Sequence, residues 1–417
     1  MITNLKFKNC FAFNDCVEMN LKADMRTKKF ISNVIELKEN LNILKSSVIY
    51  GPNNTGKTAF INCAEVVKCT LLNKSFNLRY NIFNENTISE LSVSFISNDK
   101  EYAYDFKYDS RKREYVYERL AEKIKDKYNN DSEIVIFLKD IFNNKYECSE
   151  DKELEKIMNL TSNDNILIYT LQADKFKILS KIKNILVDFA NTIEIIDMNM
   201  IPNGKTIAML KKKNDESKKI VNFIKNADIY LEEFKYDENL KIEVNGEEID
   251  KKILKHQDLL DQIRLVSVYN GKEFSSISYD SVGTRKISAL ASYIIDAIEN
   301  NKTLFIDELD SSLHFKITRA IISMFNNDIN KRSQIIATLH DISLLDCKKM
   351  FRKEQIWFTD KNENGTELYS LKEFTYSEKG VRDTSDIKEK YSKGEFGALP
   401  EPDLISTLLE VDMDEEV

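Results

Sequence analysis

Gly51-Pro52-Asn53-Asn54-Thr55-Gly56-Lys57-Thr58 sets two glycines, a lysine and a hydroxyl at the spacing of a phosphate-binding loop. Glycine at 51 and 56 lets the backbone bend round an anion, so that several N–H groups converge on phosphate oxygens. Lys57 can reach β- and γ-phosphate oxygens, and the Thr58 hydroxyl can ligate Mg²⁺. Asn53, Asn54, Thr55 and Ala59 complete the residues expected around bound ATP. Such a loop needs a buried strand before it and a helix N-terminus after it, whose positive dipole end faces the same anion. Both are present. The apolar run Leu44, Val48, Ile49, Tyr50 precedes the loop, and Ala59-Phe60-Ile61-Asn62-Cys63-Ala64 reads as a helix.

A nucleotide site also needs carboxylates opposite the lysine. Thr303-Leu304-Phe305-Ile306 is an apolar strand ending in Asp307-Glu308. Asp307 suits Mg²⁺, directly or through water, and Glu308, one residue on, suits polarisation of an attacking water. Solvated acids at a strand exit are the bland alternative, and the phosphate loop tips the balance. Upstream, Ser281-Val282-Gly283-Thr284 opens a helical pattern (Ile287, Leu290, Ile294, Ile295, Ile298) and forms a second anion-binding turn. Downstream, Gln334-Ile335-Ile336-Ala337-Thr338-Leu339-His340 is a strand ending in one of three histidines, placed to reach the γ-phosphate or the water.

In chain order, these motifs with Asp310 resemble the ATP-binding-cassette (ABC) type of P-loop ATPase. More narrowly they resemble the branch containing SMC and recombination-repair ATPases and the overcoming-lysogenization-defect (OLD) proteins. The nearest likeness is to stand-alone abortive-infection ATPases, carried also by Asp307-Glu308-Leu309-Asp310-Ser311-Ser312-Leu313-His314, Thr338-Leu339-His340-Asp341, Gln355-Ile356-Trp357-Phe358 and Tyr391–Pro400. The resemblance implies an α/β head, a mixed sheet plus an antiparallel β subdomain, with a mainly helical insertion. It implies that Ser281 and Gly283 contact the γ-phosphate held by a second subunit, that Asp310 lies at the dimer seam and that His340 is the switch histidine. Two heads would then sandwich two ATP molecules head to tail, as a homodimer or within a larger homo-oligomer. The implied function is an antiphage-defence ATPase controlling a separate effector such as a nuclease, in response to a phage-derived trigger. The alternative is a DNA-repair or SMC-like ATPase that clamps DNA. One departure stands out: the first glutamine after the phosphate loop is Gln172, so either another residue, with Asn84 and Glu85 as candidates, substitutes for the Q-loop glutamine or the metal-sensing link is altered.

The remaining chain must position these groups. Ile2–Phe7 and Cys16–Leu21 read as strands, and the bend between them, with Phe11 and Phe13, is either a shelf for adenine or core. Leu91–Phe95, Tyr102–Tyr108 and Tyr115–Tyr117 alternate as an antiparallel meander with an aromatic core face. Between about Glu118 and Gln262 the pattern turns helical: Ile178, Leu179, Ile182, Ile185, Leu186 and Phe189 share one face. Asp215–Glu233 also reads as helix, and Leu240–Ile249 as a hairpin turning at Asn245-Gly246. The expected organisation is 1–120 for the first half of the head, 121–262 for the insertion, 263–375 for the second half and 376–417 for a tail.

Composition narrows the partners. The 417 residues carry a formal net charge of −8, so no global basic field draws the chain to nucleic acid or a membrane. Lys211-Lys212-Lys213 and Lys218-Lys219 read first as a solvated face and second as phosphate contacts. Six cysteines without metal spacing, no signal-like start and no bilayer-length apolar run predict a soluble cytoplasmic protein with reduced thiols.

Overall fold

A computed structural model describes residues 1–37, 41–125, 131–171, 175–227, 229–240, 243–244, 247–248, 257–345, 348–363, 365–374, 385–400 and 402. At its centre is a six-stranded sheet in the order Ile193–Asp197, Thr303–Asp307, Gln334–Thr338, Ser46–Tyr50, Ile356–Asn362, Gly365–Ser370. The first five strands run parallel, and the last pairs antiparallel with its neighbour. A parallel sheet is covered on both faces, so its strands read as unbroken apolar runs. The pleat divides them: Ile49, Phe305, Ile336 and Trp357 face one core. Val48, Tyr50, Leu304, Ile306, Ile335, Ala337, Ile356 and Phe358 face the other.

The first core lies under the helix Lys57–Leu71 and a seven-stranded antiparallel sheet. That sheet runs from Lys145–Cys148 through Asp131–Asp140, Glu114–Lys125, Lys100–Asp109 and Ile88–Ser97 to Ile2–Lys8 and Val17–Asn20. Tyr102, Tyr104, Phe106 and Tyr115 are buried, as the aromatic alternation predicts. Gln334 locks the two sheets together: its side chain accepts from the Ile2 N–H at 2.7 Å and donates to the Ile2 carbonyl at 2.9 Å. The second core is closed by the helices Val282–Glu299 and Phe315–Phe325.

The boundaries differ from expectation in three places. The 120/121 division falls inside the strand Glu114–Lys125, because the meander continues for two further strands to Cys148. Ile193–Asp197, inside the expected insertion, is an edge strand of the central sheet and pairs in register with Thr303–Asp307. The segment 385–400 of the expected tail packs onto the head: Tyr391 and Phe396 are buried against Phe358, with Tyr391 stacked on it at 5.5 Å. The amphipathic helix is present as Lys177–Asn191, with all six predicted apolar residues buried. Asp215–Asn226 is helical, but Glu233–Tyr236 is a strand of a three-stranded sheet with Leu265–Tyr269 and Lys272–Ser275. The hairpin pairs Glu243 with Glu248 and Val244 with Glu247, while Asn245-Gly246 lies outside the described residues.

Phe189 of the helix Lys177–Asn191 stacks on Phe95 of the antiparallel sheet, ring centroids 3.9 Å apart and planes 10° from parallel. This pair pins the helix to the head. Phe189→Ala is expected to lower unfolding free energy by about 3–5 kcal/mol, measured as a shift in the urea midpoint; a change near zero would show that the helix docks by other contacts.

Candidate nucleotide site

The phosphate loop leaves the strand Ser46–Tyr50 and enters the helix Lys57–Leu71 as the sequence predicts. Asn54 and Gly56 take positive φ, 62° and 91°, the left-handed conformation that lets the chain curl back on itself. A Cβ at Gly51 would sit 2.3 Å from the Thr359 carbonyl oxygen, so the loop passes too close to the neighbouring strand for any larger residue. The Thr55 hydroxyl contacts Thr359 Oγ1 and the Pro52 carbonyl oxygen, each at 2.8 Å, and braces the loop from inside. Asn53 and Asn54 are exposed on its outer side, and Ala59 is half-buried in the first helical turn.

Of Lys57 and Thr58, it is Thr58 that meets a carboxylate directly. Thr58 donates to Asp307 Oδ2 at 2.7 Å. Lys57 folds over the loop and donates to the carbonyls of Gly51 and Pro52, both at 2.8 Å. Burial lowers its ammonium pKa, and the negative charges of Asp307, Glu308 and Asp310 oppose that shift. Asp307 is itself buried, whereas Glu308 emerges at the strand end with φ 55°. Glu308 Oε1 lies 3.9 Å from His340 Nε2. Asp310 turns back into its own chain: its Oδ2 accepts from the backbone N–H of His340 at 2.7 Å and of Asp341 at 2.5 Å. The histidine strand and the carboxylate turn are thereby tied together.

Ser281 and Gly283 stand apart from this cluster. Ser281 caps the helix Val282–Glu299, accepting from the Thr284 N–H at 3.1 Å, and is exposed. A Cβ on Gly283 would lie 2.8 Å from the Ser312 carbonyl oxygen, so glycine lets the helix start press against the turn that follows the carboxylates. Asp280 anchors the turn from behind by accepting from Ser267, Ser276 and Tyr269 at 2.6, 2.6 and 2.8 Å.

The expected substitutes for the Q-loop glutamine are placed elsewhere. Asn84 donates to Asn14 Oδ1 at 2.7 Å and is used in holding the 9–14 bend, and Glu85 is exposed. The amide beside the carboxylates belongs to Asn199, which donates to Glu308 Oε2 at 3.0 Å. It sits just past Ile193–Asp197, where Asp197 Oδ1 accepts its N–H at 2.8 Å. The signal was an apolar run ending in Asp197-Met198-Asn199, the pattern that marks Thr303–Glu308, lost inside a region of helical texture. Thr338 was also missed. Its hydroxyl accepts from the Glu308 N–H at 2.7 Å and donates to Asp307 Oδ1 at 2.6 Å. In the 9–14 bend, Phe13 is core, packed edge-on to Phe60, and Phe11 is partly buried.

Residues 46–346 match the sequence model of a family described as "AAA domain, putative AbiEii toxin, Type IV TA system". The chain belongs to this AAA family. It is a P-loop ATPase of that kind, with the phosphate loop at one end of the matched segment and His340 near the other. Among solved structures, it is similar to the SMC head domain from Thermotoga maritima, at 11% identity over 88% of this chain and 98% of that one, TM-score 0.41. It is similar to an Smc head bound to the C-winged helix domain of ScpA, at 14% identity over 88% and 97%, TM-score 0.44. A third is the Smc head with an extended coiled coil bound to the C-terminal domain of ScpA from Pyrococcus furiosus, at 12% identity over 88% and 96%, TM-score 0.40. No curated protein matches the sequence. Among the described residues, no helix is long and apolar enough to cross a membrane.

The donor set fits a magnesium-bound triphosphate. A hydroxyl and a carboxylate meet at 2.7 Å near a buried ammonium, under a loop that takes positive φ at Asn54 and Gly56. In this AAA ATPase the amide of Asn199 holds one oxygen of Glu308 and leaves the other towards His340. A hydrogen bond to a charged group is worth about 1.5–3 kcal/mol, and a loss of that size in the transition state slows a rate by about tenfold or more. Asn199→Ala is therefore expected to slow ATP turnover by about that factor with ATP affinity unchanged; equal turnover in steady-state assays would remove Asn199 from the site.

Proposed function

We propose that the chain binds ATP with Mg²⁺ and hydrolyses it slowly. The observation that carries this reading is the meeting of Thr58 and Asp307 at 2.7 Å, with Lys57, Glu308 and His340 around it. Gly51, Asn53, Asn54, Thr55, Gly56 and Ala59 surround the triphosphate, chiefly through backbone N–H groups, and Lys57 neutralises its β/γ end. Thr58 and Asp307 hold Mg²⁺, which when bound screens the charge on the phosphate oxygens. Glu308 orients and deprotonates water, and His340 bonds the γ-phosphate. To do this Lys57 must release the Gly51 and Pro52 carbonyls, exchanging two neutral acceptors for a charged one.

The outward-facing Ser281 supports a second step. Two copies pair head to tail, as a dimer or within a larger homo-oligomer, and Ser281 and Gly283 of each complete the nucleotide site of the other. The family description, with its toxin and TA-system wording, supports a role in antiphage abortive infection. In that role the ATP state controls a separate toxic effector such as a nuclease, released by a phage-derived trigger. The competing DNA-clamp reading is also consistent with the fold, and the lysine runs do not decide against it, because their ion pairs lie exposed at the surface. Lys212 pairs with Glu216 at 2.8 Å, Lys218 with Asp215 at 2.9 Å, Lys219 with Glu299, and Lys211 lies 4.4 Å over the Tyr236 ring.

Glu308→Gln keeps the shape of the base and removes its basicity. It is expected to bind ATP, to lose at least about a hundredfold in turnover, and to run as a dimer or larger species in ATP with Mg²⁺ by light scattering. A monomer under those conditions contradicts the pairing, and undiminished turnover contradicts the base.

A further inference from the structure

We propose that Thr338 is a positioning residue that sets metal affinity, by holding the carboxylate of Asp307 and the backbone of Glu308 in one latch. The inference rests on the ATPase reading of the site and adds a residue to it. Thr338 is wholly buried at the end of the strand Gln334–Thr338, one position beyond the register pair Ala337–Ile306. Its hydroxyl has a single proton, and the geometry assigns that proton to Asp307 Oδ1 at 2.6 Å. A lone pair of the same oxygen receives the Glu308 N–H at 2.7 Å. Its carbonyl receives the Leu309 N–H at 3.1 Å. Three consecutive residues of the carboxylate turn are thus registered against one side chain and its backbone.

The consequence is directional. A carboxylate free to rotate about its last torsion presents either oxygen to a cation. With Oδ1 held by Thr338, Oδ2 is the oxygen left facing Thr58, and it does so at 2.7 Å. Partners that orient a metal-binding carboxylate typically change metal affinity by about 10- to 100-fold when removed. The second half of the latch acts on Glu308, whose φ of 55° is uncommon for a residue with a side chain. The Glu308 N–H bond to Thr338 holds that conformation and so fixes where the side chain leaves the strand. Thr338 also lies two residues before His340, so the strand that carries the histidine also sets the metal-binding oxygen.

The test uses the full chain with Mn²⁺ as a spectroscopic stand-in for Mg²⁺ and a non-hydrolysable ATP analogue, read by electron paramagnetic resonance. Thr338→Val keeps the shape without the hydroxyl, and Thr338→Ala is measured beside it as a smaller variant that avoids crowding. Both are expected to bind Mn²⁺ at least about tenfold more weakly, with binding of metal-free nucleotide unchanged. Thr338→Ser, which keeps the hydroxyl, restores affinity to within about twofold of the unaltered protein. Wild-type Mn²⁺ affinity in a folded Val or Ala variant overturns the latch while leaving the ATPase reading intact. Failure of the unaltered protein to bind Mn²⁺ with the analogue overturns both.

Discussion

A hydrogen bond of 2.7 Å between Thr58 and Asp307 joins residues 249 positions apart, and the rest of the head is arranged to make it possible. It requires the phosphate-loop strand and the carboxylate strand to end at the same level of one sheet. They are not neighbours; the strand Gln334–Thr338 lies between them and pairs with both. That intermediate strand is therefore under the tightest constraint. Its apolar side chains fill both cores, Gln334 at its start ties in the first strand of the chain, and Thr338 and the following His340 meet the carboxylates at its end. Charges of the same sign crowd there, and the buried ammonium of Lys57 makes the crowding tolerable.

The segment between the two halves of the head is less separate than its helical texture implies. It lends the central sheet an edge strand, Ile193–Asp197, and lends the Glu308 carboxylate an amide, Asn199. Its helix Lys177–Asn191 closes the first core, and its strand Glu233–Tyr236 pairs with Leu265–Tyr269, whose Ser267 and Tyr269 bond Asp280 just before the serine-glycine turn. The segment thus touches Glu308 directly through Asn199, and meets the Ser281 turn only by way of the strand that bonds Asp280.

Motifs whose chemistry is local were legible in the sequence. The loop Gly51–Thr58 announces itself because glycine, lysine and hydroxyl must sit at fixed spacing, and Asp307-Glu308 because two acids close an apolar strand. The aromatic meander and the face of Lys177–Asn191 were legible through period 2 and period 3.6. What escaped depended on partners far along the chain. Asn199 and Thr338 are ordinary residues until the sheet order places one beside Glu308 and the other between Asp307 and Glu308. The boundary at 120/121 missed because strand alternation weakens in Asp131–Asp140, whose first residues are exposed on both faces. Asn84 was a reasonable expectation by position and was excluded only by its bond to Asn14.

The central claim is that Lys57, Thr58 and Asp307 form one site for a magnesium-bound triphosphate. Isothermal titration of ATP with Mg²⁺ into the intact chain and into Lys57→Ala tests it most directly. The account predicts saturable binding at one nucleotide per chain for the first and none for the second. No heat with the unaltered protein, or equal binding by the variant lacking the ammonium, contradicts it.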